Sequence, residues 1–140
     1  MSRTRSGTLL RRKNSTAQFS ARWGPSASVI TVRGELDAAN ADELANYVQR
    51  CLSFSQWLIL DLRGVEFIGT AGFSALHRLN VVCSGEDAEW TMVASHAVTR
   101  LLRICDPDGI LPVTSSVTES IRLAANAEPR HLLQLIPQSR

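Results

Sequence analysis

Trp57-Leu58-Ile59-Leu60-Asp61-Leu62, followed by Val65-Glu66-Phe67-Ile68-Gly69-Thr70-Ala71-Gly72-Phe73-Ser74-Ala75-Leu76, is the stretch that decides how this chain folds. Its first part is β-rich and nearly all apolar, the composition of a buried strand. Its second part passes through small residues into a helical spacing of apolar positions, Phe73, Leu76, Leu79 and Cys83. A hydroxyl, Thr70, therefore stands where a helix from about Ala71 to Cys83 is about to begin. The first turn of a helix has free backbone N–H groups and a partial positive charge. A phosphate on Thr70 would meet favourable electrostatics there while adding about −1.5 to −2 of charge to the surface. As a helix N-cap, the same residue would contribute about 1 kcal/mol.

Upstream, residues 16–23 alternate polar and apolar, the period of a half-buried strand. Gly24-Pro25-Ser26 is turn chemistry, and Val29–Arg33 is a second strand, so the pair reads as a hairpin. Gly34-Glu35-Leu36-Asp37 follows. From Asn40 to Leu52, residues Leu44, Val48, Cys51 and Leu52 share one helical face, with Asn40 as N-cap and Glu43 three residues on. Downstream, Gly85-Glu86-Asp87 ends the helix and Glu89–Ala94 is a strand. Ser95 caps a helix over His96–Cys105, which Asp106-Pro107-Asp108-Gly109 stops. A short strand over Ile110–Val113 precedes a capping box, Ser116-Val117-Thr118-Glu119, and a last helix to about Asn126. The apolar run His131–Ile136 beyond Pro129 has no assignable conformation from pattern alone. The order β-β-α-β-α-β-α-β-α predicts an α/β fold. Strands separated by single helices need parallel crossovers, and the opening hairpin adds an antiparallel pair. The expected result is a mixed sheet of about five strands with about four helices stacked mainly on one face.

The 140 residues suit a single domain over residues 16–128, with a flexible basic arm at 1–15 and a tail at 129–140. A hydrophobic fraction of 44% and a charged fraction of 20% are those of a globular domain with a real core. No apolar run approaches the ~20 residues of a membrane span. Leu9-Leu10 leads straight into Arg11-Arg12-Lys13, which is not a secretory pattern. A cytoplasmic protein is expected. Charge is uneven: residues 1–34 carry seven positive residues and no acid, whereas residues 35–140 carry 8 positives against 13 acids. The arm reads as a solvated leader rather than a nucleic-acid or lipid contact. The body lacks the basic-aromatic face of single-strand binders. Neither direct nucleic-acid binding nor membrane association is expected.

Chemistry-bearing motifs are sparse. Cys51, Cys83 and Cys105 show no CxxC or Cys/His spacing, so a metal site is not expected. They read as small buried hydrophobes, with Cys83 and Cys105 the pair to watch for redox chemistry. His77, His96 and His131 lack ligand spacing, Arg100 and Arg103 read as a solvated face, and Asp61 as a strand-end residue. No nucleophile elbow, Walker loop or Cys/His pair at catalytic spacing is present, so neither an enzyme nor a cofactor is expected.

Three motifs in register resemble the STAS domain, and more narrowly the bacterial anti-sigma-factor antagonists. Gly34-Glu35-Leu36-Asp37 is similar to the family's G-E-L-D. Leu60-Asp61-Leu62-Arg63-Gly64-Val65-Glu66-Phe67-Ile68-Gly69-Thr70-Ala71-Gly72 resembles its strand followed by F-[IM]-D-S-[ST]-G. Ser95–Ile104 resembles its S-P-x-V-x-R-L-[FL] helix, with Asp108-Gly109-Ile110-Leu111 continuing it. The resemblance spans roughly residues 17–127. It implies a phosphoacceptor at Thr70 and a partner-binding face of Asp37, Gly69, Thr70, Ala71, Gly72 and Phe73. The implied partner is an anti-sigma factor, an ATP-binding serine/threonine kinase, whose capture frees a sigma factor until phosphorylation releases it. A homodimer is left open. Two departures are visible: Gly69 stands where the family carries an acid, and Thr70 stands where it carries the acceptor serine. The alternative reading is a non-phosphorylated STAS scaffold subunit of a signalling or ABC lipid-transport complex.

Overall fold

Apolar residues recur at every second position of Ala17–Trp23 (β2) and through Ser28–Leu36 (β3), so both strands turn one face inward. They pair antiparallel, Phe19 opposite Val32 and Ala21 opposite Ile30. The computed structural model describes residues 5–8, 17–52 and 55–135, with side chains at 17–52 and 55–126. The remaining elements are Arg5–Thr8 (β1), Ala41–Cys51 (α1), Trp57–Ile68 (β4), Thr70–Gly85 (α2), Glu89–Val93 (β5), His96–Cys105 (α3), Val113–Thr114 (β6) and Val117–Leu135 (α4). The sheet runs β1-β2-β3-β4-β5-β6, antiparallel up to β3 and parallel from there on. The expected mixed α/β sheet is therefore present, extended at one edge by β1.

Leu58, Leu60 and Leu62 of β4 join Ile30, Val32 and Phe19 in the main core, together with Leu44 and Val48 of α1, Leu76 and Leu79 of α2, and Val98 of α3. Each fully buried large aliphatic residue contributes about 1.5–3 kcal/mol relative to an exposed one. Helix α4 lies on the opposite face, where Ala124 meets Ala27, Val29 and Ile59 in a separate small cluster. That second layer explains why β4 is apolar on both sides from Leu58 to Leu60: a central strand covered on both faces reads as a continuous run.

The structure departs from the sequence pattern at several elements. Strand β4 does not stop at Leu62 but runs to Ile68. Thr31 pairs with Asp61 but Arg33 with Gly64; Gly34 pairs with Val65 but Glu35 with Phe67. Each shift inserts one extra residue into β4, a β-bulge. Core positions in β4 therefore move from every second residue (58, 60, 62) to every third (62, 65, 68), and alternation fails as a signal. The strand expected over Ile110–Val113 is Val113–Thr114 instead, the two residues that lie in register with Met92 and Val93 of β5. Arg5–Thr8, inside the stretch read as an arm, pairs with Ser20–Trp23. Helix α4 passes Asn126 and Pro129 and ends at Leu135. The rest of the basic arm and of the C-terminal tail lies outside the described residues.

Cap expectations divide. Ser95 Oγ accepts from Val98 N at 3.1 Å, and Ser116 Oγ accepts from Glu119 N at 3.0 Å, so α3 and α4 start as expected. Asn40 occupies the N-cap position of α1 but makes no capping bond; its side chain is used elsewhere, as described below.

Cys51, Cys83 and Cys105 are all free, the first two buried. Burial pushes the Cys51 thiol from 9.0 up to about 11, against a smaller opposing pull from Arg50. Burial, then the charges of Glu86 and Glu89, raise Cys83 equally, to about 11. Tyr47, stacked on Phe19, is raised from 10.0 to about 12, chiefly by burial. An unfolded chain gives up these protons at lower pH than the folded one, so above pH ~9 it holds fewer protons and gains relative stability. Stability should be intact below pH ~9 and fall as pH climbs toward 11, read as a declining thermal midpoint. The Cys51→Ala/Cys83→Ala variant should show a shallower decline.

Candidate functional site

Two loops meet at the end of the sheet where β3 and β4 finish. Leu36 pairs with Ile68, the last residues of the two strands. Immediately beyond them, Gly69 N donates to Leu36 O at 2.9 Å, tying the start of α2 to the end of β3. Gly69 is the N-cap of α2, with φ −95° and ψ −178°, an extended conformation open to any residue. Thr70 is therefore the first helical residue and not the cap, which corrects the capping role read from sequence. Its side chain is solvent-exposed. The N-terminus of α2 has no side-chain capping bond and no acid in its first turn. Its positive end is thus uncompensated from within the helix.

The second loop, Asp37–Asn40, is built around a buried amide. Asn40 is fully buried; its Nδ2 donates to Glu35 O at 2.9 Å and its Oδ1 accepts from Asp37 N at 3.0 Å. This explains why it does not cap α1: the side chain reaches back to hold the loop. Asp37 Oδ1 accepts from Ala39 N at 2.9 Å, and Asp37 O accepts from Ala41 N at 2.9 Å. Gly34, at φ +96°, supplies the left-handed turn that side chains disfavour, at the position where β3 meets the second bulge of β4.

Asp37, Gly69, Thr70 and Ala71 are therefore neighbours at one end of the sheet. Gly72 and Phe73 are placed differently. Gly72 is buried, and a Cβ on it would lie 2.6 Å from Ile68 Cγ1 and 3.3 Å from Leu36 Cβ. It is glycine because α2 crosses the ends of β3 and β4 too closely for any side chain. Phe73 is half-buried against the core, its ring 6.2 Å from that of His77. Phe67 is absent from the sequence-derived face, yet it is 52% exposed. A Cβ at position 69 would meet its ring at 3.6 Å, so this aromatic flanks the start of α2. The available signal was an aromatic two residues before the helix cap, obscured because the bulges hide which way it faces.

Asp61 lies on β4 below this end. Arg63 Nε and Nη2 bind its two carboxylate oxygens, each at 2.9 Å. Burial works against the charge, but Arg63's hydrogen bonds and charge, with help from Arg33, hold the Asp61 carboxyl below the usual range. A fixed ion pair of this kind is structural. Among the described residues, no group of three or more His, Cys, Asp or Glu is placed to hold a metal ion. No helix among them is long and apolar enough to cross a membrane.

Residues 18–120 match the STAS domain, well over half of the chain. This chain belongs to the STAS domain family. It is 32% identical over 115 residues to osmosensory protein A of Mycobacterium tuberculosis, covering 79% of this chain and 73% of that protein. It is 25% identical over 117 residues to the anti-sigma-F factor antagonist RsfA of the same organism, covering 81% and 91%. A crystal structure of an anti-sigma factor antagonist from Mycobacterium paratuberculosis superposes with a TM-score of 0.71 at 22% identity, over 83% of this chain and 99% of that one. In this STAS domain the position that carries an acid in the family pattern is the α2 N-cap, Gly69.

The two glycines should respond oppositely to substitution. Gly72→Ala forces Ile68 or Leu36 aside and should cost about 1–3 kcal/mol in chemical denaturation. Gly69→Asp meets only the Phe67 ring at ordinary contact distance, caps the helix and should be neutral or stabilising by a few tenths of a kcal/mol. Equal losses in both variants would contradict this packing.

Proposed function

We propose that this STAS domain is an anti-sigma-factor antagonist. It binds an anti-sigma factor of the ATP-binding serine/threonine kinase type through the sheet end bearing Asp37, Thr70 and Phe67, and so frees a sigma factor. The observation that carries the reading is the exposed hydroxyl of Thr70 at the first position of α2, held near Asp37 by the Gly69 N to Leu36 O bond. The name of the RsfA relative and the fold of the antagonist neighbours support it. Phosphorylation of Thr70 is the proposed switch. The uncapped helix N-terminus favours the added charge within the free protein. A partner that had buried this surface would have to accommodate a dianion beside Asp37. The reading involves no catalysis by this chain.

A second reading, a scaffold STAS subunit without phosphorylation, draws on one specific feature. Gly69 removes a carboxylate from beside the acceptor, which leaves fewer polar groups for a kinase to engage. Titration calorimetry against the ATP-binding anti-sigma factors encoded in the same genome separates the two. Under the switch, Thr70→Ala binds like the wild type and no longer responds to ATP. Thr70→Glu binds at least about tenfold more weakly, or about 1.4 kcal/mol. Binding that is indifferent to ATP and to both substitutions would reject the switch.

A further inference from the structure

We infer that α4 opens from the sheet as a separate unit while the rest of the domain stays folded. Helices α1, α2 and α3 all insert side chains into one continuous core. Among the described residues, 117–126 of α4 do not share it. Their apolar contacts form a cluster of their own on the opposite face, Ala27, Val29, Ile59 and Ala124, flanked by Trp57 and Val117. Of the α4 residues 117–126, whose side chains are described, only Ser120 and Ala124 are buried. One is polar and the other is the smallest apolar residue with a side chain. By contrast α1 buries Leu44, Tyr47 and Val48 among others. Ile121 and Leu123 of α4 face solvent at 42% and 39% exposure, so this part of the helix withholds its larger apolar groups from the sheet.

Much of the attachment of residues 117–126 is polar. Ser120 Oγ accepts from Thr91 Oγ1 at 3.0 Å and shares a short contact with Thr114 Oγ1. Hydroxyl pairs of this kind exchange for water at small net cost, because open and closed states both satisfy them. A second observation points the same way. The indole Nε1 of Trp57, which packs against this cluster, is buried without a hydrogen-bond partner among the described residues. A buried unsatisfied donor destabilises the closed state, and admitting water relieves it. Residues 117–126 contribute a single buried apolar side chain, Ala124, to this seat, and one unsatisfied polar group favours release. Segments with these properties sit at the low end of the local stability range.

Native-state hydrogen exchange on the full chain, followed from zero to sub-denaturing urea, tests this. Amides of Ile121–Asn126 should exchange at least about tenfold faster than core amides of α1 and α2, with a urea dependence well below the global one, since a small surface opens. Val48→Ala, in the main core, should accelerate α1 and α2 about tenfold or more and leave α4 exchange unchanged, because the open form retains the altered core. Trp57→Phe keeps an aromatic ring but deletes the unpaired donor, and should slow α4 exchange severalfold. The inference is overturned if α4 shares the exchange rate and urea dependence of the core, or if Val48→Ala accelerates α4 as much as α1.

Discussion

The structure depends on the parallel pairing of β3 with β4, carried past the end of β5. Over Ser28–Thr31 the register is regular; beyond it, two bulges in β4 let the strands continue to Leu36 and Ile68. The last bond of this ladder, Gly69 N to Leu36 O, fixes where α2 starts. The bulges add residues to β4 only, which bends the strand and keeps Leu62, Val65 and Ile68 on the core side. Thr70 comes close to Asp37 because the two strands reach the same height after different numbers of residues.

Three further constraints hold that end rigid. Gly72 lets α2 pass over Ile68 and Leu36 at a distance no side chain permits. Asn40 fills the loop after β3 and spends its buried amide on Glu35 O and Asp37 N; left unpaired, that amide would carry a penalty of about 1–3 kcal/mol. The Asp61–Arg63 pair spans the first bulge. The loops bearing Asp37 and Thr70 are thus braced by backbone and buried amide bonds rather than left to their own flexibility. A surface whose geometry is set in advance loses little entropy when a partner docks.

The two faces of the sheet are held differently. One face carries a continuous core fed by three helices; the other carries α4, whose described part meets it through Ala124 and the Ser120 hydroxyl. Because Thr70 and Asp37 belong to segments feeding α1 and α2, the proposed switch acts on the rigid layer. Movement of α4 would leave that layer in place.

Much of the domain was legible in the sequence. Alternation in residues 17–23 and 28–33, the continuous apolar run at 57–62, and helix spacing around Leu44, Leu76 and Leu102 each report a local period that burial imposes. Ser95 and Ser116 announced their helices because an N-cap is a local interaction. What failed was whatever depended on a partner strand or a neighbouring loop. The extension of β4 to Ile68 is invisible to alternation, since a bulge is a property of two paired strands. Asn40 holds the N-cap position read for it, but its side chain braces the loop instead of capping the helix. Thr70 looked like a cap and is the residue after it. Phe67 stood out only as part of a motif and is half exposed beside the start of α2. The sequence by itself determined the order of elements from β2 to α4, the family and the positions of Asp37 and Thr70 along the chain. Only the tertiary structure decided their adjacency, the cap at Gly69 and the separate footing of α4, because each arises from contacts between segments that the linear pattern cannot encode.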